Sequence, residues 1–111
     1  MFIIKEPISI KIIKEKYNHF FDTMVKIVID IEKNIIAIDA EMHADLEQML
    51  LENDSEQKNL WGANIYFEKT NFIEFTSLIN IRPAQNNKNM EVQDENLRNK
   101  IQKIVNQLII W

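Results

Sequence analysis

The chain has 111 residues, a length that is typical of one domain and allows burial of roughly two thirds of the unfolded surface. A second catalytic domain is therefore excluded. The absence of cysteine excludes disulfides, thiolate zinc sites, iron–sulfur clusters and a cysteine nucleophile. The formal net charge is −4, and Arg82 and Arg98 are the only arginines, so direct nucleic-acid binding is disfavoured.

The first residues are apolar only from Phe2 to Ile4 before a charged pair follows. This run is too short for a signal peptide or a membrane span, so we expect a cytoplasmic protein without a membrane partner. With one glycine, two prolines and no repeat, nothing resembles a linker, and residues 1–111 are predicted to form a single domain.

The first elements follow from local spacing. Residues 2–5 predict a short strand, and Ser9 is a candidate N-cap for a helix over residues 10–20. Residues 23–32 alternate with a period of two, which predicts a strand rich in β-branched residues. The core-facing residues are expected to be Ile10, Ile13, Tyr17 and Phe20 in the helix and Val25, Ile27, Ile29 and Ile31 in the strand.

Residues 35–47 allow two interpretations. Strict alternation from Ile38 to Glu47 is typical of a strand, whereas Met42, Leu46, Met49 and Leu50 also fit one helical stripe. A tight turn at Lys33–Asn34 would pair apolar with apolar residues at every step, so we predict a strand over 35–47. The expected pairs are Val25 with Met42, Ile27 with Ala40, Ile29 with Ile38 and, on the polar side, Lys26 with Glu41.

The remaining segments complete the predicted fold. Residues 61–67 and 73–82 predict two further strands, with a candidate bulge at Ser77–Leu78, and Asp94 caps an amphipathic C-terminal helix. The helix stripe is Leu97, Ile101, Ile104, Val105 and Leu108. The predicted fold class is α+β: a curved antiparallel sheet of four to five strands with two helices packed on one face, in the order β-α-β-β-β-β-α. The opposite sheet face would then be polar and open.

Three stretches carry a resemblance to a known family. They are Glu41–Glu47 (EMHADLE), Leu60–Tyr66 (LWGANIY) and Ser77–Asn87 (SLINIRPAQNN). Together they resemble a family of small uncharacterised bacterial proteins, a domain of unknown function, over nearly the whole chain. The resemblance implies a small single-domain prokaryotic protein and no activity, cofactor or functional residue.

On the strand interpretation, polar side chains gather on the open face, and His43 is a candidate general base that Asp45 or Glu41 would orient. Successive side chains on one face of a strand lie about 7 Å apart, which is long for one ion to bridge all three, although two neighbours and a residue of an adjacent strand could share one. The metal motif is therefore weak, and no metal site is predicted. The alternative is that these alternating charges are simply a solvated face. His19, near the end of the first helix, is assigned a structural role.

Arg82 stands at a strand end before Pro83, where a guanidinium with nearby amides could hold a carboxylate or phosphate. The alternative for Arg82 is an ion pair with an acid on the same face. The predicted ligand-binding residues are Arg82, Gln85, Asn80, Tyr66, Asn64 and Lys26.

Three function classes remain open. We expect a binding module that holds a small anionic ligand or a protein segment, with no cofactor. The first alternative is a small hydrolase or lyase with His43 as base and Arg82 stabilising negative charge. The second is a structural subunit of a homo-oligomer, in which Trp111 would anchor a subunit contact. The single glycine excludes a glycine-rich phosphate loop.

Overall fold

The computed structural model describes residues 1–111 and has an α+β fold. Its main sheet is open and antiparallel, with five strands in the order β1-β4-β3-β5-β6, while β2 and β7 form a separate parallel pair. The predicted fold class is confirmed. The elements are β1 (Phe2–Ile4), β2 (Ile8–Ser9), α1 (Ile10–Lys16), β3 (Met24–Asp30), β4 (Ile35–Ile38), α2 (His43–Glu52), β5 (Leu60–Tyr66), β6 (Ile73–Glu74), α3 (Glu95–Leu108) and β7 (Ile109–Ile110).

Helices α1 and α3 pack on one face of the sheet, as predicted. The larger core cluster joins Ile13 of α1 and the stripe of α3 to the alternating residues of β3 and β5. Both predicted caps are present: the Ser9 hydroxyl accepts from Ile12 N at 3.1 Å, and Asp94 accepts from Asn96 N at 2.8 Å. Helix α1 ends at Lys16, so the prediction of a helix to residue 20 was wrong there, and Phe20 is 51% exposed rather than core.

The predicted strand over 35–47 is wrong beyond Ile38, because β4 ends there and a helix follows. The turn before β4 takes residues 31–34, so Ile27 faces Ile38 and the register differs by two residues from the expected one. Asn34 lies in this turn and has a positive φ of 56°, a conformation that asparagine tolerates.

Asp39 redirects the chain out of the sheet. Its φ is 71°, and its carboxylate accepts hydrogen bonds from the backbone N–H of His19 at 2.9 Å and from the His19 ring. The chain then enters α2, which places His43, Leu46 and Leu50 on one buried side. Helix α2 therefore covers part of the sheet face that was predicted to be open, packing on a second core cluster with Val28, Ala37 and Leu60.

The strand predicted over 73–82 is also shorter than expected. Only Ile73–Glu74 pairs with β5, and residues 78–80 and 83–85 form short 3-10 turns. Beyond β6, the Asn80 side chain takes the place of a neighbouring strand: its Oδ1 accepts from Gly62 N at 2.8 Å and its Nδ2 donates to Gly62 O at 2.9 Å. None of the helices combines the length and apolar character that crossing a membrane requires.

Candidate functional site

A cavity of about 290 Å³ opens between the N-terminus of α2 and residues 76–79, above strands β3 and β5. We call it the His43 pocket. It contains three predicted site residues, Lys26, His43 and Asn64, and no carboxylate lines it although the chain has a net charge of −4. The lining residues are Lys26, Met42, His43, Ala44, Asn64, Thr76, Ser77, Leu78, Ile79 and Met90.

His43 is the first residue of α2 and is buried against β5. Its Nε2 lies 2.8 Å from the Ala63 carbonyl oxygen. Because a carbonyl only accepts, Nε2 carries the proton and donates, and Nδ1 of the neutral ring is left as an acceptor. The fold therefore holds one tautomer of this histidine.

Burial lowers the pKa of His43 below its ordinary value of 6.5. The hydrogen bond to the Ala63 carbonyl opposes that shift, the Lys26 ammonium adds to it, and the Asn64 side chain opposes it. The imidazole is thus neutral at pH 7.

Asn64 is 6% exposed and lies directly opposite Lys26 in the pairing of β3 with β5. Its Nδ2 donates to Glu74 Oε1 at 2.8 Å, which fixes the orientation of the amide. The other side-chain atom, Oδ1, is buried and makes no hydrogen bond of ordinary geometry, although the Asn64 side chain lies close enough to the His43 ring to oppose the fall in its pKa. A buried acceptor without a donor costs about 1–3 kcal/mol, and because Oδ1 has almost no accessible surface, a ligand group could contact it only after a local rearrangement.

Lys26 supplies the only cationic side chain of the pocket. Its ammonium lies 5.2 Å from the centre of the Phe21 ring and forms no ion pair with a carboxylate. The nearby Glu74 is engaged elsewhere, since it accepts from Asn64 and, at 2.9 Å, from the Tyr66 hydroxyl. That hydrogen bond raises the pKa of Tyr66 and ties the ring to β6.

Because Gly62 has no side chain, Ser77 and His43, which line the pocket, can lie close to strand β5. A β-carbon at this position would lie 2.6 Å from Ser77 Cβ, 2.7 Å from Ser77 Oγ and 3.2 Å from His43 Cδ2. Ser77 Oγ accepts from Ile79 N at 3.2 Å, which leaves the hydroxyl proton free to be donated.

The structure does not place Arg82 in the pocket. The side chain is 8% exposed, lies 4.4 Å over the Trp61 ring, and donates to carbonyl oxygens of Ile79, Gln57 and Leu60. Its Nη2 is also 3.6 Å from Glu47 Oε2. The prediction that Arg82 faces a ligand is therefore wrong, and the alternative of an ion pair on the same face is what the structure shows.

Burial lowers the pKa of Arg82 and raises that of Glu47, while the attraction between the two charges opposes both shifts. The guanidinium nevertheless stays charged at neutral pH, because an arginine begins from a far higher pKa. This pair connects α2 to the segment after β6.

Three more of the predicted ligand-binding residues use their polar groups in contacts within the protein: Gln85, Asn80 and Tyr66. Gln85 Nε2 donates to Lys58 O at 3.0 Å, and Asn80 is fully buried against Gly62. Asn87 was not among the predicted residues, yet its Nδ2 donates to three carbonyls and its Oδ1 accepts from Gln93 N at 2.9 Å. The only signal for it was the asparagine-rich loop.

Glu41 and Asp45 lie in a different depression, of about 490 Å³, that also includes Asp39 and Phe20. The structure therefore does not bring the proposed orienting carboxylates to His43. It also contains no group of three histidine or carboxylate side chains that could hold a metal ion.

These features define a small α+β protein with an open antiparallel sheet and a pocket between a helix N-terminus and two strands. The chain belongs to the family described as "Protein of unknown function (DUF5674)", whose profile matches residues 2–108. The resemblance to an uncharacterised family over nearly the whole chain is thereby confirmed. No curated protein and no solved structure matches the chain.

Proposed function

We propose that this protein is a binding module that holds a small organic ligand in the His43 pocket. The observation that carries the proposal is the cavity of about 290 Å³ itself, which brings the polar side chains of Lys26, His43 and Asn64 together. The rest of the lining has the usual character of such a site: a few polar groups lie among apolar side chains, and one of them has a perturbed pKa.

The test uses ¹H–¹⁵N spectra of the full chain titrated with isopropanol, acetamide and acetate as small probes. We expect shifts concentrated at His43, Asn64 and Ser77. In the variant Ala44→Leu, an added side chain at the pocket mouth should reduce those shifts, whereas Gln48→Leu on the same helix should not. Shifts spread evenly over the surface, or unchanged by Ala44→Leu, would contradict the proposal.

A second candidate is the small hydrolase or lyase with His43 as general base. The neutral, tautomer-fixed ring favours it, since a base must be unprotonated at the working pH. The orienting group would have to be the Ala63 carbonyl, because Glu41 and Asp45 lie elsewhere. Turnover of an ester or phosphate that His43→Gln abolishes without loss of fold would favour this candidate over the binding module.

The cytoplasmic location, the bacterial source and homo-oligomerisation stay predictions. A structural subunit is tested by sedimentation of the purified chain, whereas a protein segment as occupant stays a prediction. A stable dimer or higher assembly whose formation protects Leu78 and Ile81 from solvent would favour the subunit, since both side chains are large, apolar and exposed in the single chain.

A further inference from the structure

We propose that the His43 pocket selects a neutral ligand that donates a hydrogen bond to Nδ1 of His43, that is, an aliphatic alcohol or a primary amide. This inference rests on the proposed binding function and specifies the chemical class of the ligand. Three features carry it: the position of the proton on the His43 ring, the charge of the pocket lining and the apolar rim.

Nδ1 of His43 is an acceptor that the protein leaves unpaired. The ring is anchored through Nε2, which donates to the Ala63 carbonyl oxygen at 2.8 Å, so Nδ1 of the neutral ring carries a lone pair. Nδ1 makes no hydrogen bond within the protein, yet it is not among the unpaired polar atoms that are sealed from solvent. Because His43 lines the cavity, a ligand placed there can contact this nitrogen.

The polar side chains beside the ring do not supply the missing proton. Asn64 raises the pKa of His43, which is the effect of an acceptor, because a donor to Nδ1 would stabilise the neutral ring and lower the pKa. Ser77 Oγ and Cδ2 of His43 both lie near the point that a β-carbon on Gly62 would occupy. Cδ2 is on the opposite edge of the imidazole from Nδ1, so this hydroxyl faces the wrong edge. The donor must therefore come from the ligand.

The charge of the lining favours a neutral donor. An ammonium could also donate to Nδ1, but the pocket has no carboxylate to hold it, and Lys26 adds a positive charge. That charge acts on the imidazole itself, since Lys26 lowers the pKa of His43. A carboxylate would be attracted to Lys26 but has no proton to give when ionised. A hydroxyl or an amide N–H meets both conditions.

The apolar part of the ligand is indicated by the rim of the pocket. Met42, Leu78 and Met90 are 55%, 70% and 42% exposed, so an aliphatic chain placed among them would remove apolar surface of both partners from water. The cavity is at the lower end of the range for ligand pockets, which is about 300–1,000 Å³. A short branched chain is the size that fits.

The experiment titrates the full chain at neutral pH and follows the side-chain ¹⁵N signals of its two histidines. The probes share one branched chain: 3-methylbutan-1-ol and 3-methylbutanamide are neutral donors, isobutyl methyl ether is an isomer of the alcohol without a donor, 3-methylbutylamine is a cation and 3-methylbutanoate is an anion. We expect the alcohol, the amide or both to bind and to move the Nδ1 signal of His43 towards that of a protonated nitrogen. The ether should bind about tenfold more weakly, because it leaves Nδ1 unpaired.

His19 is the internal control. Its Nδ1 lies 2.5 Å from a carboxylate oxygen of Asp39 and its side chain is 66% exposed, so a ligand in the His43 pocket should leave its ¹⁵N signals unchanged. In His43→Phe a flat ring remains but the acceptor is lost, so the alcohol should bind no more tightly than the ether, whereas His19→Phe should retain the difference. If His43→Phe does not fold, the comparison of the two isomers on the natural chain still decides the donor assignment.

Equal affinity for the alcohol and its isomeric ether, or binding of the alcohol without a change at Nδ1, would overturn the donor assignment. Tighter binding of the amine or the carboxylate than of the neutral donors would overturn the assignment of a neutral ligand. If none of the five probes binds while acetamide or acetate still shifts the amides of His43 and Asn64, the ligand class is wrong and the pocket remains a binding site. If neither set affects these residues, both proposals are wrong.

Discussion

Replacing Gly62 with alanine would put a methyl group where the pocket wall touches β5. The new carbon would lie 2.6 Å from Ser77 Cβ, an atom attached directly to the backbone, so no side-chain rotation relieves the contact. Overpacking a core costs typically about 1–3 kcal/mol, and a fixed neighbour at this distance argues for the upper end, about 3 kcal/mol. For a chain of this size that corresponds to a fall in Tm of about 15 °C.

Urea denaturation followed by circular dichroism measures this change as a lower midpoint with an unchanged slope. The matched test is a double-mutant cycle with Ser77→Gly, which removes both Ser77 atoms that crowd position 62. Ser77→Gly alone should cost only about 0.3 kcal/mol, because Ile79 N loses its hydroxyl acceptor but glycine is itself well tolerated at an N-cap. The double variant should be at least about 1 kcal/mol more stable than additivity gives. Strict additivity, or a cost of Gly62→Ala below about 0.5 kcal/mol, would refute the reasoning.

Three further predictions concern buried polar groups. Asn80→Asp preserves the side-chain volume but replaces the amide that donates to Gly62 O and Met90 O with an oxygen. Denaturation should therefore show a decrease of about 3 kcal/mol in the free energy of unfolding. A decrease under about 1 kcal/mol would contradict the role of this amide in replacing a neighbouring strand. Arg82→Lys removes the planar fork that serves several carbonyls, and we expect a loss of about 2–3 kcal/mol by the same assay, with Arg98→Lys as the more exposed control. Since the pKa of His43 is lower in the fold than its ordinary 6.5, the unfolded chain takes up the proton first. Stability should therefore fall as the pH drops below about 6.5, and by less in His43→Gln. The comparison with that variant is essential because burial raises the pKa of Glu47 above 4.5, and a raised carboxyl pKa makes stability increase as the pH falls. Parallel curves of stability against pH for the two proteins would refute the role of His43.

Strands β3 and β5 and helix α3 could be predicted because each carries one period over many residues. Alternation in β3 and the stripe of α3 both point to the same core, and the caps at Ser9 and Asp94 act over three residues. These are local relations, so the order of the residues was enough to place them.

Helix α2 could not be predicted in the same way, because residues 38–47 satisfy a period of two and a helical stripe together. In the structure the strand ends before Asp39, which has a positive φ. The Asp39 carboxylate accepts a hydrogen bond from His19, a residue 20 positions earlier, and this contact holds the chain out of the sheet. Burial of Leu46 and Leu50 on the second core cluster then stabilises the helix. Neither contact is visible in the local pattern.

The candidate site shows the same division. Lys26, His43 and Asn64 could be predicted as candidates from their residue types. Lys26 and Asn64 line the same pocket because they are paired on the neighbouring strands β3 and β5. Arg82 had equally suitable chemistry, but folding buried it among carbonyls and an aromatic ring. A pattern of residues indicates which side chains are polar and which face is apolar. A buried polar group is costly unless it has a hydrogen-bond partner, because burial removes it from water. Whether such a partner is present depends on residues that are distant in the sequence, so only the tertiary structure decides which polar groups stay free to contact a ligand.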